Sequence, residues 1–215
     1  LVYWGDTIVN GAIDDLDALP PLAQHYLPGY KETDGRREYP VAVDLARHVL
    51  GVAADAGFDV AASRRLPNET EGMGHAFAFP LRRLGVQAPI VPVMVNTYNP
   101  PSQPRARRCA AFGTMLRAAI DSYPTSDRVV VIASGGLSHF LVEEELDRSV
   151  LAALERGDLE ALTSLPEATF TAGSSEIKNW ITVAAACADR RFEVLDYVPG
   201  YRTPAATVRR AVSGH

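Results

Sequence analysis

The chain has 215 residues, 47% of them apolar, which is enough for one sizeable core, and its formal charge of -5 supplies no basic surplus for non-specific nucleic-acid binding. No apolar run reaches the roughly 20 residues of a membrane-spanning helix, and no charged-then-apolar leader precedes the first strand. These bounds point to a globular cytoplasmic protein with neither a nucleic-acid nor a membrane partner.

In chain order, "LVYW" ahead of Gly5-Asp6 reads as a strand, and the proline-rich segment from Asp14 to Arg37 reads as a long surface excursion. A helix follows in "YPVAVDLARHVLGVAADAG", where Val41, Leu45, Val49 and Val52 recur three or four apart and Gly57 is placed to cap the end. "IVPVMVN" is a second strand candidate, and "TYNPPSQP" is a rigid crossover because its prolines donate no hydrogen bond. "RARRCAAFGTMLRAAIDSY" repeats the helical spacing, "RVVVIA" is a third strand, and "EEELDRSVLAALERGDLEAL" is a helix with its acids in the first turn, where the dipole favours them. "RFEVLDYV" is the fourth strand candidate. Strands interleaved with helices predict an α/β fold, a single domain with a central mixed sheet and helices on both faces. Cys109 and Cys187 fall in helix-like contexts with no metal-type spacing, which suits packing in a reducing cytoplasm.

Three places carry residues suited to chemistry. In "SGGLSH", Gly135 and Gly136 let the backbone approach a ligand closely at the carboxyl end of a strand, and His139 offers a base that titrates near neutrality. A glycine turn capped by Ser138, with a partly exposed histidine, explains the same letters. In "EGMGHAFAFPL", His75 follows glycines and precedes aromatic residues that suit a pocket for a flat ring; a histidine at a helix start is the competing account. Glu176 in "TAGSSEIKNWI" is an acid at the start of an amphipathic stretch, where a first-turn carboxylate is routinely a dipole partner or a capping-box member. His25, His48 and His215 sit on a loop, in a helical pattern and at the terminus. A serine hydrolase would need G-x-S-x-G and a phosphate loop G-x-x-x-x-G-K-[ST]; "ASGGLSH" supplies neither order.

Taken in order, "GHAFAFPL", "VPVMVNTYNPPSQP", "VIASGGLSHF", "SSEIKNWI" and "DYVPGYRTPA" resemble the class III extradiol ring-cleaving dioxygenases, the protocatechuate 4,5-dioxygenase catalytic-subunit family, from about Tyr39 onward. The resemblance implies an oxidoreductase of aromatic-compound catabolism that opens a small aromatic diol with O2 at a non-haem Fe(II) held by two histidines and a glutamate. It assigns His139 as acid/base, His75 as a second catalytic histidine beside the ring, and Glu176 as the metal-binding glutamate. Ser138 and Arg202 are the expected substrate contacts, with Arg202 in "GYRTPA" pairing with the carboxylate of a dihydroxybenzoate- or gallate-like acid.

The family's first iron histidine belongs to an N-terminal region ahead of where this chain starts. Its second commonly follows a strand-ending Gly-Asp, yet after Gly5-Asp6 this chain reads "TIVNGAIDDL". The expectation is therefore one catalytic domain over 1–215 that lacks its N-terminal segment, with His75, His139 and Glu176 converging on one cleft. A homodimer or a partner subunit is the expected assembly. The alternative is a metal-free dioxygenase-like protein that binds a small aromatic or supports a catalytic partner subunit.

Overall fold

A computed structural model describes residues 1–199, apart from 12, 14, 16, 22, 23, 25–30, 33, 34, 69–71 and 140. His25, Arg202 and His215 lie outside the described residues. The chain divides into two compact units, residues 1–94 and 95–215.

In the first unit, strand β1 (Val2–Tyr3) pairs in parallel with β4 (Ala62–Ser63), while β2 (Thr7–Asn10) pairs antiparallel with β3 (Arg37–Pro40). Ile8 lies opposite Tyr39, and both side chains are buried, which fixes the register by placing apolar residues on one face. Helix α1 (Val43–Asp55) buries Ala46, Val49 and Ala53, a stripe rotated slightly from the larger residues that signalled it. Helix α2 (His75–Arg83) starts after Gly74 and buries Ala78 and Leu81. Tyr3, Ile8, Tyr39, Val41, Met73, Ala78 and Leu81 form the core of this unit.

The first unit also encloses a carboxylate. Glu32, 3% exposed, accepts from Asn10 Nδ2 at 2.9 Å and lies 3.6 Å from Arg82 Nε, with the Tyr39 hydroxyl 3.4 Å away. Arg82 also donates to the Lys31 carbonyl.

The second unit is helical among its described residues. Helix α3 (Ala106–Ser122) packs on α6 (Ile177–Ala186), and α4 (Glu144–Arg156) and α5 (Leu159–Thr163) close over the same core of Leu137, Val150, Leu154, Leu162, Ile177 and Ile181. Helix α3 takes its first cap from far along the chain: Glu167, in a 3₁₀ turn at Glu167–Thr169, accepts the Ala106 N–H at 2.8 Å and pairs with buried Lys178 at 3.1 Å. A second 3₁₀ turn, Ala172–Glu176, leads into α6. Cys109 is buried in this core and its thiol is pushed up to about 11, chiefly by burial, so it packs rather than reacts.

The helices arise where the apolar spacing places them, and with the small sheets they give an α/β structure. The strands depart from expectation, since pairing among the described residues stops at two two-stranded ladders. "IVPVMVN" contributes only isolated bridges, Val41 to Ile90 and Val2 to Val93. "RVVVIA" and "RFEVLDYV" form no regular strand. In the former, exposed Val130 and Ile132 alternate with half-buried Val129, Val131 and Ala133, which is the period-two burial of a strand without a ladder partner. β-branched residues favour a pleated surface, but a ladder forms only where a second backbone is alongside. No described helix is long and apolar enough to cross a membrane.

Candidate active site

The turn from Ser134 to His139 is held by the start of α6. Glu176 Oε2 accepts the Gly136 N–H at 3.1 Å, Asn179 Nδ2 donates to the Ser134 carbonyl at 2.9 Å, and Trp180 Nε1 donates to the Gly135 carbonyl at 3.1 Å. Residues 176, 179 and 180 face one way because three- and four-residue steps return to the same side of a helix. Gly135 is required here twice over: its φ of +120° disfavours any side chain, and a Cβ would run into the Glu176 carboxylate.

His139 closes the turn against the second 3₁₀ segment. Gly173 lies so close beneath it that a Cβ there would meet the His139 ring at 2.6 Å. The imidazole Nε2 is 3.6 Å from Glu176 Oε1, and Nδ1 is 3.3 Å from the Leu137 carbonyl oxygen. The first distance is an ion-pair contact rather than a hydrogen bond. The Glu176 carboxylate raises the His139 pKa above its ordinary value; burial opposes this, and the Leu137 carbonyl and the charge of Asp147 add to the rise. With both side chains less than a third exposed, the pair has solvent access while keeping much of its mutual field. It is suited to taking a proton from a ligand and giving it back near neutral pH.

Ser138 is fully buried. Its hydroxyl donates to Asp147 Oδ2 at 2.9 Å and accepts the Glu143 N–H at 2.8 Å, so the capping account holds and the group is committed within the loop. His75 is the exposed first residue of α2, in the unit of residues 1–94, whereas His139 and Glu176 belong to the other unit. The structure thus brings together one expected pair, His139 and Glu176. Asn179, Trp180 and Asp147 escaped sequence reasoning, although the spacing held a signal for each. Asn179 and Trp180 follow Glu176 by a helical turn, and Asp147 shares the apolar stripe of Val150 and Leu154.

Fe(II), implied by the resemblance, takes two histidines and a carboxylate. Among the described residues no group of three or more His, Cys, Asp or Glu side chains is placed to hold a metal. Glu176 is a suitable hard donor, but both its oxygens face the turn and one carboxylate does not retain the ion. The described residues therefore do not fit a complete iron site.

Residues 26–208 match the family described as the catalytic LigB subunit of aromatic ring-opening dioxygenase. The chain belongs to this family. It is 35% identical over 100 residues to gallate dioxygenase of Pseudomonas putida, covering 44% of this chain and 28% of that protein. It is 31% identical over 148 residues to the 2,3-dihydroxyphenylpropionate/2,3-dihydroxicinnamic acid 1,2-dioxygenase of Azotobacter vinelandii, covering 65% and 43%. The protein of the same name from Mycolicibacterium paratuberculosis is 39% identical over 104 residues, covering 46% and 29%. The chain thus spans less than half the length of each of these relatives.

Proposed function

We propose that the chain serves extradiol cleavage of a catecholic, dihydroxybenzoate- or gallate-like ring by O2, with His139 as acid/base. The observation that carries the reading is the Glu176 carboxylate set 3.6 Å from the His139 ring on a glycine turn, in a member of the ring-opening family. A catechol hydroxyl is a weak acid, and a catecholate yields electrons to dioxygen far more readily than the neutral diol. Neutral His139 accepts the hydroxyl proton, Glu176 stabilises the resulting imidazolium, and the imidazolium returns the proton to the oxygen freed when the O–O bond of the added dioxygen breaks and the ring C–C bond beside the diol opens. His75, the exposed start of α2, is proposed as a second proton-handling group, and Arg202 as the partner of a substrate carboxylate. The names of the relatives favour aromatic acids with vicinal hydroxyls, since gallate and dihydroxyphenylpropionate both carry them together with a carboxylate. Iron dependence is part of the proposal through Glu176 as one ligand, and no proton step above passes through the metal.

The test is turnover of gallate and 2,3-dihydroxyphenylpropionate by full-length protein. His139→Gln is expected to lower kcat by about 10²–10⁴-fold with metal content unchanged. A variant that turns over as fast as the parent ends the acid/base reading. Glu176→Ala, loaded anaerobically with Fe(II), is expected to lose both bound iron and ring cleavage. Unchanged iron per chain reassigns Glu176 to the histidine alone.

A further inference from the structure

The turn that carries His139 is gripped from a second side by a carboxylate that touches neither His139 nor Glu176 in the contacts above. Asp147, in the first turn of α4, is fully buried. Its Oδ1 accepts the Ser138 N–H at 2.7 Å, and its Oδ2 accepts both the Ser138 hydroxyl at 2.9 Å and the Tyr197 hydroxyl at 2.8 Å. Tyr197 comes from the extended segment beyond α6, 50 residues away, and the Arg148 guanidinium lies 5.4 Å from its ring centroid. Three neutral donors thus converge on one buried anion, and two of them belong to the residue next to His139.

A buried carboxylate on the apolar stripe of a helix carries a desolvation cost larger than a first-turn dipole gain, and here it is offset by the three donors that the carboxylate collects. The geometry also gives it a role. The Ser138 N–H is coplanar with the Leu137 carbonyl, so fixing it also fixes that carbonyl, whose oxygen stands 3.3 Å from His139 Nδ1 and so bears on the ring's orientation. We infer that Asp147 and Tyr197 form a latch that positions His139 against Glu176, joining the C-terminal extended segment to the acid/base group. Asp147 is a positioning residue, and Tyr197 holds Asp147 in place. The inference rests on the acid/base reading of His139 for its catalytic consequence, but the positional coupling is measurable without turnover.

The experiment uses full-length protein and the variants Asp147→Asn and Tyr197→Phe. The second keeps the ring under Arg148 and removes only the hydroxyl, so it folds even where the first fails to. Ring 15N signals of His139 at one fixed pH are expected to move toward those of a free histidine in both variants. In the gallate assay kcat is expected to fall by about tenfold to a hundredfold, the scale of a displacement of up to ~1 Å, with KM within about twofold of the parent. Variants with a lowered thermal midpoint, unmoved His139 signals and unchanged kcat overturn the latch and leave Asp147 as a structural acid. Parent-like turnover of His139→Gln sinks the acid/base reading alone, and the 15N signals then decide the latch by themselves.

Discussion

Among the described residues each unit buries one carboxylate, and the two are neutralised differently. Glu32 in the first unit sits beside the Arg82 guanidinium and the amide of Asn10. Asp147 in the second is met by the Ser138 amide and hydroxyl and the Tyr197 hydroxyl, all neutral donors. In the first arrangement the charge is cancelled where it stands, which makes a staple between β2 and α2. In the second the charge is spread over hydrogen bonds but not cancelled, so it still acts on neighbours. Glu176 and, to a lesser degree, that charge both favour the protonated form of His139. Cancelling a buried charge serves architecture; leaving it hydrogen-bonded and uncancelled makes a neighbouring base stronger.

The largest effect is expected at Arg82, the cation beside buried Glu32. Arg82→Met leaves Glu32 buried without its cation, and because Arg82 is itself 24% exposed the expected loss is about 3 kcal/mol, the low end for a broken buried pair. Urea unfolding measures it, and adding Glu32→Gln should recover much of the loss. A loss within about 0.5 kcal/mol, as for an ordinary surface change, would show that Glu32 is held by its neutral donors as Asp147 is. A smaller effect is expected at the other carboxylate. Asp147→Asn keeps shape and one acceptor, so it should cost about 1–2 kcal/mol by the same measurement. A loss exceeding that of Arg82→Met would reverse the contrast.

The smallest effect is the pH dependence of the His139–Glu176 contact. The folded His139 pKa is raised, so its contribution to stability is fully present below the ordinary histidine value of 6.5 and is lost as pH rises through the raised midpoint. For a partly exposed pair the amplitude should stay below about 1 kcal/mol. Unfolding free energies measured across this range are expected to decline more in the parent than in Glu176→Gln. Equal slopes would mean that the carboxylate does not act on the imidazole.

The helices were legible from the chain because their apolar residues recur at the helical period and their ends carry local signals. The stretch 143–162, read as one helix, instead divides at Gly157, whose φ of +66° ends α4 before α5 begins, and the 3₁₀ turn of "AGSSE" runs straight into α6. The strands were not, because pairing is non-local. Val129 to Ala133 has the composition of a buried strand, whereas β3 and β4, in polar stretches, are strands only because β2 and β1 lie beside them. Asp147 shows the same limit in a side chain: its position on the apolar stripe is visible, but its partner Tyr197 is 50 residues away.

By itself, then, the sequence determined the residue types and local frames that chemistry here requires. It placed an imidazole after two glycines and a carboxylate at a helix start, and these depend on near neighbours along the chain. Only the tertiary structure decided that the Glu176 oxygen stands 3.6 Å from His139, that Ser138 is sealed under Asp147, and that His75 begins a helix in the other unit. Those outcomes depend on which distant segments pack together, and packing is set by burial and donor geometry summed over elements far apart in the chain.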